Sequence, residues 1–217
     1  MKIFTKKRIV LFLLFIFPLF FYLILSSGIN NFAKLPVVTK NISDVALIDA
    51  ANKVKFQNNI SVVCFLGEDI ERIKGAIFNL NQKIYKPFYG FKNFQVIAVY
   101  PASKEKEVKE LREKVGAFTD MVKWKFVPST NAEINAFYQT FKTNEPLENL
   151  QTSKAFIVDK EVNLRGRTDD KDYKDGKLYG YDMNSVAILK DKMKDDVKVL
   201  LAEYRLALKK NDADRQI

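Results

Sequence analysis

The side chains best suited to chemistry in this sequence are a lone thiol and a small group of carboxylates. Cys64, the chain's only cysteine, lies inside the apolar run 62–66, and Glu68, Asp69 and Glu71 follow shortly after it. The sequence contains no histidine. Dithiol exchange needs two sulfurs, and a soft copper site needs thiolates, thioethers or imidazoles. Carboxylates suit hard cations instead, so the sequence predicts neither dithiol exchange nor copper binding at this point.

Both groups have a structural and a functional interpretation. Cys64 is predicted to be a buried and inert strand residue, because unpaired cysteines are among the most buried residue types. The alternative is an exposed thiolate with a depressed pKa, which would serve a peroxidase or a reductase. Glu68, Asp69 and Glu71 are predicted to stabilise the N-terminus of a helix, where negative charge interacts favourably with the helix dipole. The alternative for these three residues is a paired-carboxylate site.

The N-terminus has the pattern of a membrane anchor. Four basic residues within 1–8 precede an uncharged run of 17 residues at 9–25. That run is at the short end of the roughly 17–25 residues that cross a bilayer as a helix. We expect a retained transmembrane anchor at 9–27, with a cleaved signal peptide as the alternative. The basic flank would keep the N-terminus in the cytoplasm and place the rest of the chain in the periplasm, on the outer side of the inner membrane.

The charge of the chain limits its partners. The formal net charge is +10, and four of the positive charges lie in the N-terminal flank. Elsewhere lysines alternate with acidic residues at helical spacing, as in residues 104–107, which is typical of a solvated helix face. No stripe of basic and aromatic residues indicates nucleic-acid binding. A weak attraction to anionic lipid headgroups is the expected use of the surplus positive charge.

Hydrophobic periodicity predicts strands that alternate with helices. Strands are predicted at 61–66, 94–100, 124–127, 154–158 and 163–167, and helices at 69–84, 104–115, 131–141 and 184–209. Residues 45–48 and 53–56 are predicted to form a hairpin. Around these elements we expect a tether at 28–41, a folded domain at 42–211 and a tail at 212–217. This alternation predicts an α/β sandwich with a mixed central sheet.

The arrangement resembles the thioredoxin-like superfamily, and most closely its Sco (SenC) branch. The segments that carry the resemblance are 44–49, 53–56, 62–67, 94–101 and 154–159. The resemblance covers residues 42 to 205. It implies a thioredoxin-like three-layer sandwich, here preceded by one N-terminal transmembrane helix.

The resemblance also implies where chemistry would lie, and every such position departs from the family pattern. Sco proteins hold copper with a CxxxC pair on the loop after the first core strand, which is 67–72 here and contains no cysteine. Their distal histidine precedes the late strand, and Gln151 is the nearest match. Thioredoxins place a cis-proline before the same strand, where Ser153 stands here. We therefore expect a degenerate active site at Glu68, Asp69, Glu71, Gln151 and Ser153, without metal or cofactor.

Four residues near the C-terminus are candidates for contact with a partner. Tyr179 and Tyr181 flank a glycine between a charged loop and the last predicted helix, and tyrosine is enriched at protein interfaces. The alternative is that both tyrosines pack the loop onto the domain. Arg165 and Arg167, on the return strand, are suited to bind an anion, although solvated charges are the default at a sheet edge.

These observations predict a membrane-anchored, non-catalytic accessory protein that acts by contact with a protein partner. A role in assembly of the respiratory cytochrome oxidase is implied by the family resemblance alone. The alternative from another functional class is a thiol-dependent peroxidase or reductase that uses Cys64.

Overall fold

The apolar run around Cys64 forms the central strand of the domain, as predicted. In the computed structural model, which describes residues 6–26, 34–49 and 53–214, this run is strand β2 (Ile60–Leu66), and all seven of its residues are buried. Burial on both faces is typical of a strand in a sheet that helices cover on both sides.

The other strands complete one mixed sheet of seven strands. They are β1 (Val37–Thr39), β3 (Phe94–Pro101), β4 (Trp124–Ser129), β5 (Gln151–Val158), β6 (Leu164–Arg165) and β7 (Tyr181–Asp182). The order across the sheet is β1-β6-β5-β2-β3-β4, with β7 beside β5. Strands β2, β3 and β4 are parallel to one another, whereas β5 is antiparallel to both β2 and β6.

Helices cover both faces of the sheet. They are α2 (Ile70–Leu80), α3 (Lys86–Phe88), α4 (Glu105–Gly116), α5 (Asn131–Gln139) and α6 (Lys194–Asp214). A π-helical segment, Asn81–Tyr85, joins α2 to α3, and a second one, Ile188–Met193, leads into α6. Alternate side chains of β2 enter two separate hydrophobic clusters, one with α2, α4 and α6 and the other with α5. The predicted α/β sandwich with a mixed central sheet is confirmed.

The predicted hairpin at 45–48 and 53–56 is wrong. Val45–Leu47 forms a single 3-10 turn, and the described residues 53–56 contain no strand. The Asp44 carboxylate accepts hydrogen bonds from the backbone N–H groups of Ala46 and Phe56, at 3.1 and 2.9 Å. This carboxylate satisfies donors that a hairpin ladder would otherwise use, so the two segments are joined without β-pairing.

The N-terminal residues form a unit of their own, separate from the unit that begins at Lys34. Helix α1 (Lys6–Ser26) contains Pro18, and its apolar side chains between Val10 and Ile24 are exposed. Within residues 6–26, 34–49 and 53–214, no helix meets the length and apolarity that crossing a membrane requires.

Candidate functional site

The junction between β2 and α2 is a tight turn built on Gly67. Its φ of +63° lies in the left-handed region, which glycine enters at no steric cost. A Cβ atom at this position would lie 2.4 Å from Gln151 Cβ and 2.7 Å from the Asn149 carbonyl oxygen. Only glycine therefore allows β2 to pass into α2 this close to the segment that precedes β5.

Gln151 holds this junction closed from the opposite side. Its side chain is buried, and its Nε2 atom donates hydrogen bonds to the carbonyl oxygens of Leu66 at 2.5 Å and Asp69 at 2.8 Å. The backbone N–H of Glu68 donates to the Asn149 carbonyl at 3.2 Å. The position that the family resemblance matched to a histidine therefore faces the loop, and here it carries a neutral amide that binds two loop carbonyls.

The chain reaches Gln151 through a turn with unusual backbone angles. Asn149 and Leu150 have φ values of +49° and +61°, and Glu148 and Gln151 exchange two backbone hydrogen bonds of 2.9 and 3.0 Å. This is the geometry of a type I′ turn, in which both central residues are left-handed. Leu150 adopts this conformation while its side chain is buried in the core. The turn fixes where the Gln151 amide points.

Ser153 lies two residues further along β5, beside the same junction. It is half-buried, and its carbonyl oxygen accepts a hydrogen bond of 2.8 Å from the backbone N–H of Met183. No cis peptide bond occurs in the described residues, so the bond before Ser153 is trans.

The three carboxylates of the junction make different contacts and do not form a paired-carboxylate site. Asp69 caps α2 by accepting a hydrogen bond of 3.0 Å from the Arg72 N–H, as predicted. Glu71 is exposed and forms an ion pair of 3.0 Å with Lys74. Glu68 is exposed and accepts a hydrogen bond of 3.4 Å from the Asn131 side chain. Across the described part of the chain, no three histidine, cysteine or acidic residues cluster in a way that could hold a metal ion.

An open cleft of about 240 Å³ lies beside the junction. Most of its lining is polar. The lining residues are Arg72, Ile73, Ala76, Glu145, Pro146, Glu148, Gln151, Thr152, Ser153 and Asn184. The Arg72 guanidinium makes no hydrogen bond or ion pair with the part of the chain that the structure describes. This cleft therefore offers charged and hydrogen-bonding groups to a partner.

Cys64 is fully buried, away from the cleft. Its Sγ atom lies 3.6 Å from the Ile97 carbonyl oxygen, and its strand neighbours in register are Ala98 and Ala155. Burial raises the pKa of the thiol far above its ordinary value, because a thiolate would lose its hydration there. A nucleophilic thiolate needs the opposite environment.

We expect Cys64 in the native protein to resist a small alkylating reagent at neutral pH and to react fully once the chain is unfolded in denaturant. The physical reason is the combination of complete burial and the raised pKa of the thiol. Mass spectrometry of protein treated with iodoacetamide, with and without denaturant, measures both reactions. Rapid native labelling would contradict this prediction and favour the thiol-dependent enzyme.

The structure corrects the expectation that Tyr181 contacts a partner. Tyr181 is fully buried, and its hydroxyl donates a hydrogen bond of 2.6 Å to Asp196 Oδ2. Burial raises the pKa of this phenol, and the neighbouring Asp196 carboxylate adds to the effect. Tyr179 is half-buried and packs against the hydrophobic cluster that contains α5. The interpretation in which the tyrosines pack the loop onto the domain describes both residues.

Arg167 belongs to the same internal network. Its guanidinium binds Asp196 through two hydrogen bonds of 2.7 and 3.0 Å and donates a third to the Lys192 carbonyl oxygen. Lys192 in turn binds both carboxylate oxygens of Asp170, at 2.6 and 2.7 Å. These bonds fasten the 168–180 loop onto the last helical segment. Arg167 is therefore occupied by an internal carboxylate instead of an external anion.

Arg165 is likewise not a solvated edge charge. It is buried between Asp159, at 3.0 Å, and Glu203, at 2.5 Å. Sequence reasoning did not identify the acidic partners Asp159, Asp196 and Glu203, and it did not single out the cleft residues Arg72, Glu145 and Asn184. Asp196 and Glu203 lie on an amphipathic helix, where acidic residues also occur on solvated faces, and Asp159 lies in a turn after β5.

The fold and the junction together define a thioredoxin-like domain whose β2–α2 loop carries no thiol. No protein-family model matches the chain, and no characterised protein matches it by sequence. Solved structures with a similar fold are thioredoxin-fold proteins and include members of the Sco/SenC family.

Three of these structures illustrate the level of similarity in sequence identity, coverage and TM-score. BsSco, a member of the Sco family of cytochrome c oxidase assembly proteins, is 13% identical, with 78% of this chain and 98% of that chain covered and a TM-score of 0.49. A SCO1/SenC family lipoprotein from Bacillus anthracis is 13% identical, with 79% and 99% covered and a TM-score of 0.45. A yeast mitochondrial 1-Cys peroxiredoxin is 14% identical; the match covers 60% of this chain, spans 65% of that protein's length and has a TM-score of 0.42.

Proposed function

We propose that this protein is a non-catalytic accessory protein, which acts by binding a protein partner through the cleft beside the β2–α2 junction. The observation that carries the proposal is the closed junction, where Gly67 packs against Gln151 and the Gln151 amide binds two loop carbonyls. A dithiol or a bound copper ion would need sulfur or imidazole groups at this point, and the loop has neither. The closed junction instead provides a surface of fixed shape that a protein partner could bind.

The cleft supports binding because the backbone elements that carry its polar groups are fixed. Gln151 and Ser153 belong to β5, which is paired on both sides, and Arg72 extends from the first turn of α2. Glu145 and Glu148 supply negative charge on another part of the lining. Charges of both signs on a rigid wall favour a partner whose charges complement them, and they confer specificity more than affinity.

We further propose that the N-terminal segment anchors the protein in the inner membrane as a single pass, with the domain in the periplasm. The support is the sequence at 9–25, which is uncharged, and the basic flank before it. The described helix α1 does not meet the requirement for crossing a membrane, so this part of the proposal depends on the sequence pattern. Cleavage of the segment as a signal peptide is the alternative.

The finer proposal is that the partner belongs to the respiratory cytochrome oxidase or to its assembly apparatus. It comes from the resemblance of residues 42 to 205 to the Sco branch, and a fold hosts many functions. The identity of the partner is therefore tested separately from the accessory role.

We expect a photo-crosslinking amino acid at Asn184, on the rim of the cleft, to give one discrete adduct in intact membranes. The same amino acid at Lys174, an exposed residue of the 168–180 loop that does not line the cleft, should give none. Arg72→Glu should weaken the adduct at least several-fold, because it reverses the unpaired charge of the cleft. Immunoblotting measures the adducts and mass spectrometry identifies the partner.

The outcomes separate the two levels of the proposal. An oxidase subunit or assembly factor in the adduct supports both levels, and an unrelated periplasmic protein supports only the accessory role. Equal adduct patterns from Asn184 and Lys174, or no adduct at all from Asn184, would contradict binding through the cleft.

A further inference from the structure

The end of the sheet opposite the junction is formed by the segments that lead into the parallel strands. Because β2, β3 and β4 run in the same direction, the residues just before them meet at one edge of the sheet. We call this end the basal surface and define it as residues 53–59, 86–93 and 117–125. Gly67 and the cleft lie at the other end of β2.

Hydrogen bonds hold the three segments of the basal surface in place, two of them through Tyr85 and Gln95, which lie just outside these segments. The Tyr85 hydroxyl donates to the Asp120 carbonyl at 2.7 Å and accepts from the Lys123 N–H at 3.1 Å. The Lys123 ammonium donates to the Phe91 carbonyl. The Gln95 side chain donates to the Lys55 carbonyl at 2.8 Å. The basal surface is therefore a preformed platform.

The basal surface exposes most of the large apolar side chains that the domain leaves in water. Among residues 34–49 and 53–205, whose side-chain exposure the structure describes, six large hydrophobic residues are exposed, and four of them lie here. These four are Tyr89 at 46% exposure, Phe91 at 48%, Phe118 at 65% and Val122 at 66%. Single exposed apolar residues are ordinary, but four at one end of a domain indicate an interaction surface.

The same surface is strongly basic. Its six lysines are Lys53, Lys55, Lys86, Lys92, Lys123 and Lys125, and its only carboxylate is Asp120. The whole stretch 72–104 contains no acidic residue. By contrast, the cleft at the other end is lined by Glu145 and Glu148.

A hollow at the edge of the basal surface adds a place for an anionic group. It has a volume of about 740 Å³, and its charged lining residues are Lys53, Arg112, Lys125 and Asp120. The Arg112 guanidinium lies 5.7 Å from the centre of the Phe126 ring, a cation–π distance that leaves its N–H groups available. Three cations against one carboxylate attract a phosphate group.

We propose that the basal surface docks onto an anionic lipid bilayer. Its exposed aromatic and apolar side chains enter the interfacial layer, the lysines around them bind lipid phosphates, and the hollow accepts one headgroup. Docking in this orientation turns the cleft away from the bilayer. The docking residues are distinct from those of the cleft, so failure of this proposal would leave partner binding untouched.

The test uses the full chain reconstituted in lipid vesicles, with an environment-sensitive fluorophore on a single introduced cysteine. Cys64 is buried, so Val122→Cys is labelled selectively in the folded protein. The vesicles contain either phosphatidylcholine alone or equal parts of phosphatidylcholine and phosphatidylglycerol. We expect the label at position 122 to shift its emission to the blue only in the anionic vesicles. Salt at about 1 M, where the Debye length is about 3 Å, should reverse the shift.

Two matched charge-reversal variants test whether the lysines of the basal surface are responsible for docking. Lys86→Glu with Lys92→Glu should reduce the docking equilibrium about tenfold or more, because each basic residue near an anionic surface contributes to binding. Lys171→Glu with Lys174→Glu makes the same change in net charge on an exposed loop outside the basal surface and should have little effect. A label at Asn184→Cys should stay in water throughout. Equal emission from position 122 in both lipid mixtures, or equal losses from the two charge-reversal pairs, would overturn the proposal.

Discussion

Replacing Asp196 with alanine is expected to lower the free energy of unfolding by about 3 kcal/mol, within the range for breaking a buried ion pair. Asp196 is buried and accepts hydrogen bonds from Arg167 through both carboxylate oxygens and from the Tyr181 hydroxyl through one. The substitution would leave the half-buried Arg167 guanidinium and the buried Tyr181 phenol without their partner. Urea unfolding measures the loss, with the single tryptophan, buried Trp124, as the fluorescent reporter.

The neighbouring residue supplies the control. Asp195 lies in the same helical turn but is exposed, and its ion pair of 2.8 Å is with the exposed Lys198. Asp195→Ala should cost less than about 1 kcal/mol, since exposed ion pairs contribute little. If the two alanine variants lost stability equally, the bonds between Arg167, Tyr181 and Asp196 would not stabilise the domain as argued.

Replacing Gly67 with alanine is expected to lower the free energy of unfolding by about 2 to 4 kcal/mol. A left-handed conformation costs a residue with a Cβ about 1–3 kcal/mol, and overpacking costs about 1–3 kcal/mol more. Here the new methyl group would lie 2.4 Å from Gln151 Cβ and 2.9 Å from Gln151 Cα, so backbone has to move. The same urea unfolding experiment measures this effect.

Gly75→Ala is the matched control for Gly67→Ala. Gly75 lies in the middle of α2, and no atom is within 4 Å of the position its Cβ would take. Alanine there should raise the free energy of unfolding by roughly 0.5–1 kcal/mol, because glycine is a poor residue for a helix interior. A neutral effect of Gly67→Ala would mean that the junction is not held closed as described.

The sequence was sufficient for the elements whose signal is local. The apolar run that ends at Leu66 and the spacing of Ile70, Ile73 and Ile77 predict β2 and α2, and both are present. Asp69 caps α2 because the cap needs only a residue three positions away. The hairpin prediction failed at Asp44, whose side chain binds backbone donors up to 13 residues further along the chain. Hydrophobic patterns do not encode such a bond.

In the candidate site, too, the sequence predicted local features but not contacts between distant residues. The family resemblance placed Gln151 near the junction, and the structure brings it there. It did not predict that the amide binds two carbonyls or that Gly67 packs against it, since both depend on the turn before β5. Arg165 and Arg167 were assigned to the surface because their partners on the last helix, Glu203 and Asp196, are 38 and 29 residues away. Long-range pairs of this kind follow from tertiary packing.

The closed junction also limits what cysteine substitutions alone could add to the loop after β2. Cysteines grafted into the loop after β2 would meet a backbone already bound by the Gln151 amide, so they would not by themselves rebuild a reactive centre. Gln151 and the loop would have to change together, and such coupled positions respond to single substitutions in a non-additive way. An engineered dithiol or copper centre at this junction would therefore need several substitutions made together, including one at Gln151.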